Sequence, residues 1–463
     1  MLLEGSREGI YALPHDIISI GKHYLYTEIG EIMTTKLARI SELSKVNPDM
    51  KFNSIGHLID YDMLKICHSK MDGSKAVGID GITKADYENG LESNLKVLVQ
   101  RLKDKSYKPK PARKVEIPKD NGKTRPLSIY SYEDKLVQEA LREILEAVFE
   151  PHFYDNMCGF RPNRNCHGAL RKLNDMIEGH KTNYILDADI RGFFDNLEHE
   201  WIIKFISSRI TDPNIIRLTE RMLKAGVLRD GEFYTDDFGA GQGSVCSPII
   251  ANIYMHYVLV WWFNERIKPL MKGYCDVIVY ADDFVCCFQY KEEAEAFYEL
   301  LKKRMNNFGL SLEEDKTRLI CFGRFSEENL AKIGRKTETF EFLGFTHYVS
   351  KSRNGKFRVK RKTANKKFRK KCKQMNIAIR DMRFEKKKYI LEKVNQILVG
   401  YYHYYGITDN YPMMDKFRNR VVCILFFWMN RRSQRKSYTW ERFNEFLKHN
   451  PIARPKIYVS IYG

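Results

Sequence analysis

None of the ten cysteines, at 67, 158, 166, 246, 275, 286, 287, 321, 372 and 423, stands in a C-x-x-C pair. That absence excludes a zinc ribbon and a disulfide framework, and points to a reducing interior. Long apolar runs are missing too, so no segment is long enough to span a bilayer. Glu4, Arg7, Glu8, His15 and Asp16 break up the first stretch, which therefore does not read as a signal peptide. A cytoplasmic protein with no membrane partner is expected. Acid is absent altogether from Lys351 to Lys373. From Lys351 onward 30 Lys and Arg face 7 Asp and Glu, so the formal charge of +19 is carried by the C-terminal quarter while the rest of the chain is mildly acidic. Such a segment is the footprint of a phosphate backbone, with a solvated basic surface as the plainer reading. What is present fills a core: 463 residues, 43% hydrophobic and 13% aromatic, suffice for two or three domains and argue against wholesale disorder.

The chain is organised around Cys275 to Phe288, C-D-V-I-V-Y-A-D-D-F-V-C-C-F. Val277 to Val279 and Phe284-Val285 read as two strands, with Tyr280-Ala281-Asp282-Asp283 as the turn between them. Neighbouring side chains of a strand point to opposite faces, so two adjacent aspartates reach one object only where the chain bends. Held together at a tip they repel, which is tolerable in water or around a divalent cation. A solvated Asp-Asp turn is the plain alternative, but apolar strands flank this pair. A third carboxylate comes from Tyr184 to Glu200, where Asp187 and Asp189 share a face of a strand that Ile185 and Leu186 begin. Asp195 reads as the N-cap of a helix from Asn196 to Ser207. A carboxylate of this strand placed beside the hairpin tip would complete a three-aspartate site able to hold two metal ions, the requirement for attack of a 3′-hydroxyl on a phosphorus.

Tyr-Ala-Asp-Asp with an upstream Asp-x-x-Gly-Phe-Phe-Asp resembles the reverse transcriptases encoded by bacterial and organellar group II introns, or a domesticated relative of them. Spacing leaves Asp187 and Asp189 as alternatives; the resemblance selects Asp189, with Asp282 and Asp283, as catalytic metal ligands. It implies two Mg²⁺ ions, with Mn²⁺ as a substitute, and Phe194 as the gate that excludes a 2′-hydroxyl. It also implies an α+β right-hand fold: fingers, palm and thumb, with an antiparallel palm sheet backed by helices and a helical thumb. The divisions expected are an N-terminal extension over 1–53, a reverse transcriptase extension and fingers over 54–183, a palm over 184–350 with fingers elements interleaved, and a basic thumb or maturase segment over 351–463.

Other motifs follow in the same order as in that family. Thr83 begins an N-cap with Asp86 three residues later. Val115 and Ile117 are strand-like and precede the hairpin signal Asp120-Asn121-Gly122. Arg113, Lys119 and Arg125 are six apart each time, which period two allows to share a face of what is otherwise an ordinary solvated hairpin, and the resemblance makes them contacts to nucleotide phosphates. Gly159-Phe160-Arg161-Pro162-Asn163-Arg164 matches a signature given to the template path, with Arg161 and Arg164 as contacts. Helices are expected from Glu198 to about Leu228. Gly239 to Pro248 resembles the loop that meets the nascent base pair through Gln242, although Gly241 stands where the family has Pro, which loosens the loop. A buried helix follows over Ile249 to Ile267, then an amphipathic one over Glu292 to Asn307. Lys316 matches the lysine that approaches the leaving pyrophosphate, and Phe340 to Phe345 matches a primer-grip hairpin.

In the basic segment Lys360, Arg361, Lys366, Lys367, Arg431 and Arg432 are candidate nucleic-acid contacts. Tyr401 to Tyr405 divide evenly between contact and core. The partners implied are an RNA template, group II intron RNA among the candidates, a DNA or RNA primer and deoxynucleotides; the location implied is bacterial cytoplasm or nucleoid. No cysteine-bearing endonuclease module is expected. Two rival readings stand beside the polymerase: an RNA-binding splicing cofactor, and an enzyme serving DNA repair or phage defence.

Overall fold

The computed structural model describes residues 23–118, 124–229, 232–234, 238–434 and 437–462. Lys119 and the turn Asp120-Asn121-Gly122 lie outside the described residues. The strands, in chain order, are β1 (Ala112–Pro118), β2 (Thr124–Ile129), β3 (Tyr184–Asp189), β4 (Val227–Arg229), β5 (Glu232–Tyr234), β6 (Cys275–Tyr280), β7 (Asp283–Phe288), β8 (Arg318–Cys321), β9 (Phe340–Phe342), β10 (Phe345–Lys351) and β11 (Phe357–Thr363). Helices fill much of the rest, giving a mixed α+β chain with mostly antiparallel pairing. Among the described residues no helix is long and apolar enough to cross a membrane.

The chain forms two compact units. The first joins Met1–His152 with Ile206–Asp236 and Gln242–Cys246. Its sheet has the order β2-β1-β4-β5, with β1 antiparallel to β2 and parallel to β4. Helix Tyr132–Phe149 packs against helices His23–Val46 and Tyr61–Lys70 and supplies much of the core: Leu136, Val137, Ala140, Leu141, Ile144, Leu145 and Val148 recur every three or four residues and are fully buried. Thr83 and Asp86 form the expected capping box. Leu228 was expected in a helix but lies in β4. The helix Pro213–Leu223 stops short of Gly226, whose φ of +71° takes the chain out of the helical region.

The second unit contains Phe153–Phe205, Asp237–Gly241 and Ser247–Gly463. Its central sheet runs β6-β7-β3-β8 with every pair antiparallel. Helix Lys291–Asn306 packs on β3 and β7, and helix Cys166–Asn174 on β6. The apolar helix expected over Ile249 to Ile267 begins as Ser247–Met255 and continues through wider turns at His256–Val260 and Phe263–Ile267. A three-stranded sheet, β11-β10-β9, leads to the helices Asn365–Asp381, Lys387–Tyr405, Tyr411–Met429 and Trp440–His449. One apolar cluster runs from Ile185, Ile278 and Val285 through Phe340 and Phe345 to Tyr401, Phe417 and Phe443. Tyr401, Tyr402 and Tyr405 are therefore core residues, with Tyr405 packed against Phe345 and Tyr401 against Phe417.

Asp195 is not a helix N-cap. Gly192 at φ +53° and the Asn196 amide, which donates to the carbonyls of Arg191 and Gly192, close a tight turn over Phe193–Asp195. The helix begins later, at His199.

Candidate metal centre

The hairpin of β6 and β7 is closed by two residues, Ala281 and Asp282, because Tyr280 stands opposite Asp283. β7 also pairs with β3, and there Asp189 stands opposite Asp283. Residues opposed in an antiparallel pair share a face, so register alone brings these two carboxylates side by side. Asp282 adds the third from the tip. One carboxylate oxygen of each lies within 4.8 Å of the others. Asp282 is buried, whereas Asp189 and Asp283 are half-exposed. Three hard oxygen donors drawn together from two strands and a turn suit a divalent cation, which relieves their mutual repulsion.

Asp187, the alternative left open by spacing, lies on the same face of β3 but serves elsewhere. It is opposite Arg318 of β8, with the guanidinium 3.6 Å from its carboxylate. Burial pushes its carboxyl up to about 7; Arg318 opposes that rise, and Asp283 and Asp189 add to it.

Lys316 reaches the centre. Leu312 bridges to Ile190, the Glu313 amide donates to the Asp189 carbonyl at 2.7 Å, and the Arg191 amide donates to the Ser311 carbonyl at 2.9 Å. So anchored, the turn lets the Lys316 ammonium donate to Asp189 Oδ2, and this bond raises the lysine pKa. Phe194 lies five residues beyond Asp189 in the tight turn, half-buried and edge-on to Phe193, and its carbonyl accepts the Ala240 amide at 3.0 Å.

In the first unit Arg113 is opposite Ile129 and Arg125 is opposite Ile117, so the two arginines share a face of the β1–β2 hairpin, as period two requires. Arg113 donates to the Val77 carbonyl at 3.0 Å. The Gln242 carbonyl accepts the Ser128 amide, and its side chain is half-exposed.

Two arginines expected to touch nucleic acid do not present themselves to it. Arg361 is 1% exposed and donates to the Val359 carbonyl and Asn174 Oδ1. It shares the inward face of β11 with Val359 and Thr363, so a charge read as surface is structural. Arg161 is 7% exposed, and its guanidinium is taken up by the carbonyls of Phe153, Tyr154 and Met157. Arg164 pairs with Asp155 at 2.6 Å. Lys366 and Lys367 are exposed on helix Asn365–Asp381, and Lys360 is half-buried. Arg431 lies exposed over the Phe427 ring at 3.7 Å, and Arg432 donates to the carbonyls of Phe384 and Glu385.

The sequence profile of the reverse transcriptase (RNA-dependent DNA polymerase) family matches residues 117–347, which include the whole aspartate centre. The chain is 30% identical over 319 residues to the group II intron-encoded protein LtrA of Lactococcus lactis subsp. cremoris, covering 66% of this chain and 53% of LtrA. It is 31% identical over 322 residues to protein YkfC of Escherichia coli (strain K12), covering 62% of this chain and 80% of YkfC. An uncharacterized 91 kDa protein in a cob intron of Schizosaccharomyces pombe is 34% identical over 258 residues, 52% of this chain and 32% of that one. The matched part thus spans about half the length of LtrA.

Proposed function

Because this chain belongs to the reverse transcriptase family, we propose that it extends a primer 3′ end with deoxynucleotides on an RNA template, in association with a group II intron RNA. The observation that carries this reading is the convergence of Asp189, Asp282 and Asp283 within 4.8 Å on adjacent strands and a tight turn. These carboxylates would hold two divalent ions, Mg²⁺ with Mn²⁺ as a substitute. Such ions, when bound, favour the attacking alkoxide and neutralise charge on the transferred phosphoryl group. Lys316, now bonded to Asp189, is the proton source for the leaving pyrophosphate. Arg113, Lys119 and Arg125 take the nucleotide phosphates, Gln242 the nascent pair, and Phe194 bars a 2′-hydroxyl by occupying its place.

In this reading the β6-β7-β3-β8 sheet and its helices are the palm, the β1–β2 hairpin belongs to the fingers, and the helices from Asn365 onward form the thumb. Lys360, Lys366, Lys367, Arg431 and Arg432 are its phosphate contacts, and Arg164 keeps a place on the template path; Arg161 and Arg361 drop out. A splicing role rests on the basic excess after residue 350.

Primer extension on an RNA template, by wild type and by Asp282→Asn, tests the polymerase. Synthesis by the wild type and none by the variant is expected; equal synthesis by both ends the proposal.

A further inference from the structure

We propose that Gly159 and Asn252 are positioning residues for the aspartate centre. Asn252 fixes the carbonyl of Gly159, and the bare backbone of Gly159 seats the Ala281-Asp282 tip that presents the carboxylates. The proposal rests on reading that centre as a divalent-metal site.

The tip needs holding. Ala281 has φ +60°, a conformation that residues with a Cβ adopt rarely and keep only when their surroundings impose it. The surroundings here are a short segment laid along the free edge of β6. The Val279 amide donates to the Asn156 carbonyl at 2.9 Å, and the Cys158 amide donates to the Val279 carbonyl at 2.8 Å. Met157 thus pairs with Val279 as one parallel bridge beyond the sheet. Arg161 stiffens this segment by gathering the carbonyls of Phe153, Tyr154 and Met157.

Gly159 comes next and lies flat against the tip. A Cβ there would fall 2.9 Å from the Tyr280 carbonyl carbon and 3.1 Å from Ala281 Cα, and closer still to the Ala281 nitrogen. These neighbours are backbone atoms of the turn itself, so a methyl group could be admitted only by moving the turn.

Asn252 closes the chain of contacts. It sits on helix Ser247–Met255 among Ile249, Ile250, Ala251, Ile253, Tyr254 and Met255, all buried, and is itself 3% exposed. Its Nδ2 donates to the Gly159 carbonyl at 2.9 Å. A carboxamide in so apolar a helix is tolerated because its donor meets a carbonyl. Both act on where Asp282 and Asp283 stand. Groups that orient metal ligands from one shell out typically change metal affinity by about 10- to 100-fold.

The test is Mn²⁺ binding to the full chain, followed by electron paramagnetic resonance without nucleic acid, alongside the Mg²⁺ concentration for half-maximal primer extension. Asn252→Ala and Gly159→Ala are each expected to weaken Mn²⁺ binding about tenfold. The Mg²⁺ requirement should rise by a matching factor, and Asn252→Ser, which keeps a donor, should recover part of the loss. Both changes act through the seating of Gly159 on the tip, so the double variant should bind little worse than the weaker single one. Ile144→Val in helix Tyr132–Phe149 is the control: it lowers thermal stability and leaves Mn²⁺ affinity alone. Folded Asn252→Ala that binds Mn²⁺ as tightly as wild type overturns the proposal, even if it melts earlier. Asp282→Asn separates the two levels. If it keeps Mn²⁺ binding, the reading of the centre fails and takes this proposal with it; if it alone loses binding, only the positioning role fails. Should Gly159→Ala not fold, Asn252→Ala and Asn252→Ser decide.

Discussion

The Lys316 ammonium donates to Asp189 Oδ2, so the side chain proposed for the leaving group rests on one of the three proposed for the metal. The lysine is mostly exposed, and pairs of that kind contribute little, on the order of 0.5–1 kcal/mol. That is small enough to be exchanged when a cation and a nucleotide arrive.

Removing the competitor should help the cation and hurt the chemistry. For Lys316→Ala, Mn²⁺ affinity in the absence of nucleotide is expected to rise roughly two- to fivefold, the equivalent of the lost pair. Single-nucleotide addition should slow by about 10²-fold, as for loss of a general acid. Unchanged Mn²⁺ affinity would show that the pair does not compete with metal binding.

Phe194 offers a specificity test. With Phe194→Ala the space that the ring occupies opens, so the ratio of deoxynucleotide to ribonucleotide incorporation should fall by about tenfold or more, with little loss of deoxynucleotide addition. Measured kcat/KM values for dCTP and CTP on one template give the ratio. An unaltered ratio removes Phe194 from the gate.

The exposed and the buried cations of the C-terminal segment should behave differently. The double variant Lys366→Ala, Lys367→Ala is expected to weaken RNA binding and flatten the dependence of log K on log salt by roughly 0.7–0.9 per lost phosphate contact. Arg361→Met should instead lower the melting temperature, through the unpaired Asn174 Oδ1, and leave the salt slope intact. A flattened slope for folded Arg361→Met would restore that residue to the interface.

Stability should fall with rising pH at one identifiable group. Burial pushes the Asp134 carboxyl up from 3.8 to about 6, although the Tyr107 hydroxyl and the Lys110 amide donate to it and pull the other way. A folded pKa above the unfolded one means that this contribution is complete below about pH 4 and lost as pH rises through about 6. Relative to Asp134→Asn, the wild type should lose on the order of 2–3 kcal/mol between pH 4 and 7, measured by urea unfolding. Parallel pH profiles for the two proteins would show that Asp134 does not titrate as its burial demands.

The hairpin was legible because β-branched and aromatic residues flank Asp282-Asp283, and a tight turn is the one local geometry that lets adjacent carboxylates meet. The choice between Asp187 and Asp189 was not, since it depends on a distant strand, β8, delivering Arg318 opposite Asp187. Arg361 was misread although its position carried a signal: in Phe357–Thr363 it alternates with Lys360 and Lys362 and shares parity with Val359. Net charge summed over a segment hides such alternation. Tyr401, Tyr402 and Tyr405 followed the commoner fate of aromatics at helical spacing. Gly159 and Asn252 could not be found from the sequence, because their partners lie about a hundred residues away in the chain.

The pairing of Asp189 with Asp283 makes the centre intolerant of any change in chain length nearby. One extra residue within 184–189 would carry every later side chain of β3 to the opposite surface and turn residue 189 away from its partners, whereas the same insertion at the 352–356 connection would lengthen a bend and leave the carboxylates where they are. Length variation among descendants of this protein should therefore collect at such bends and be missing from the two acidic strands.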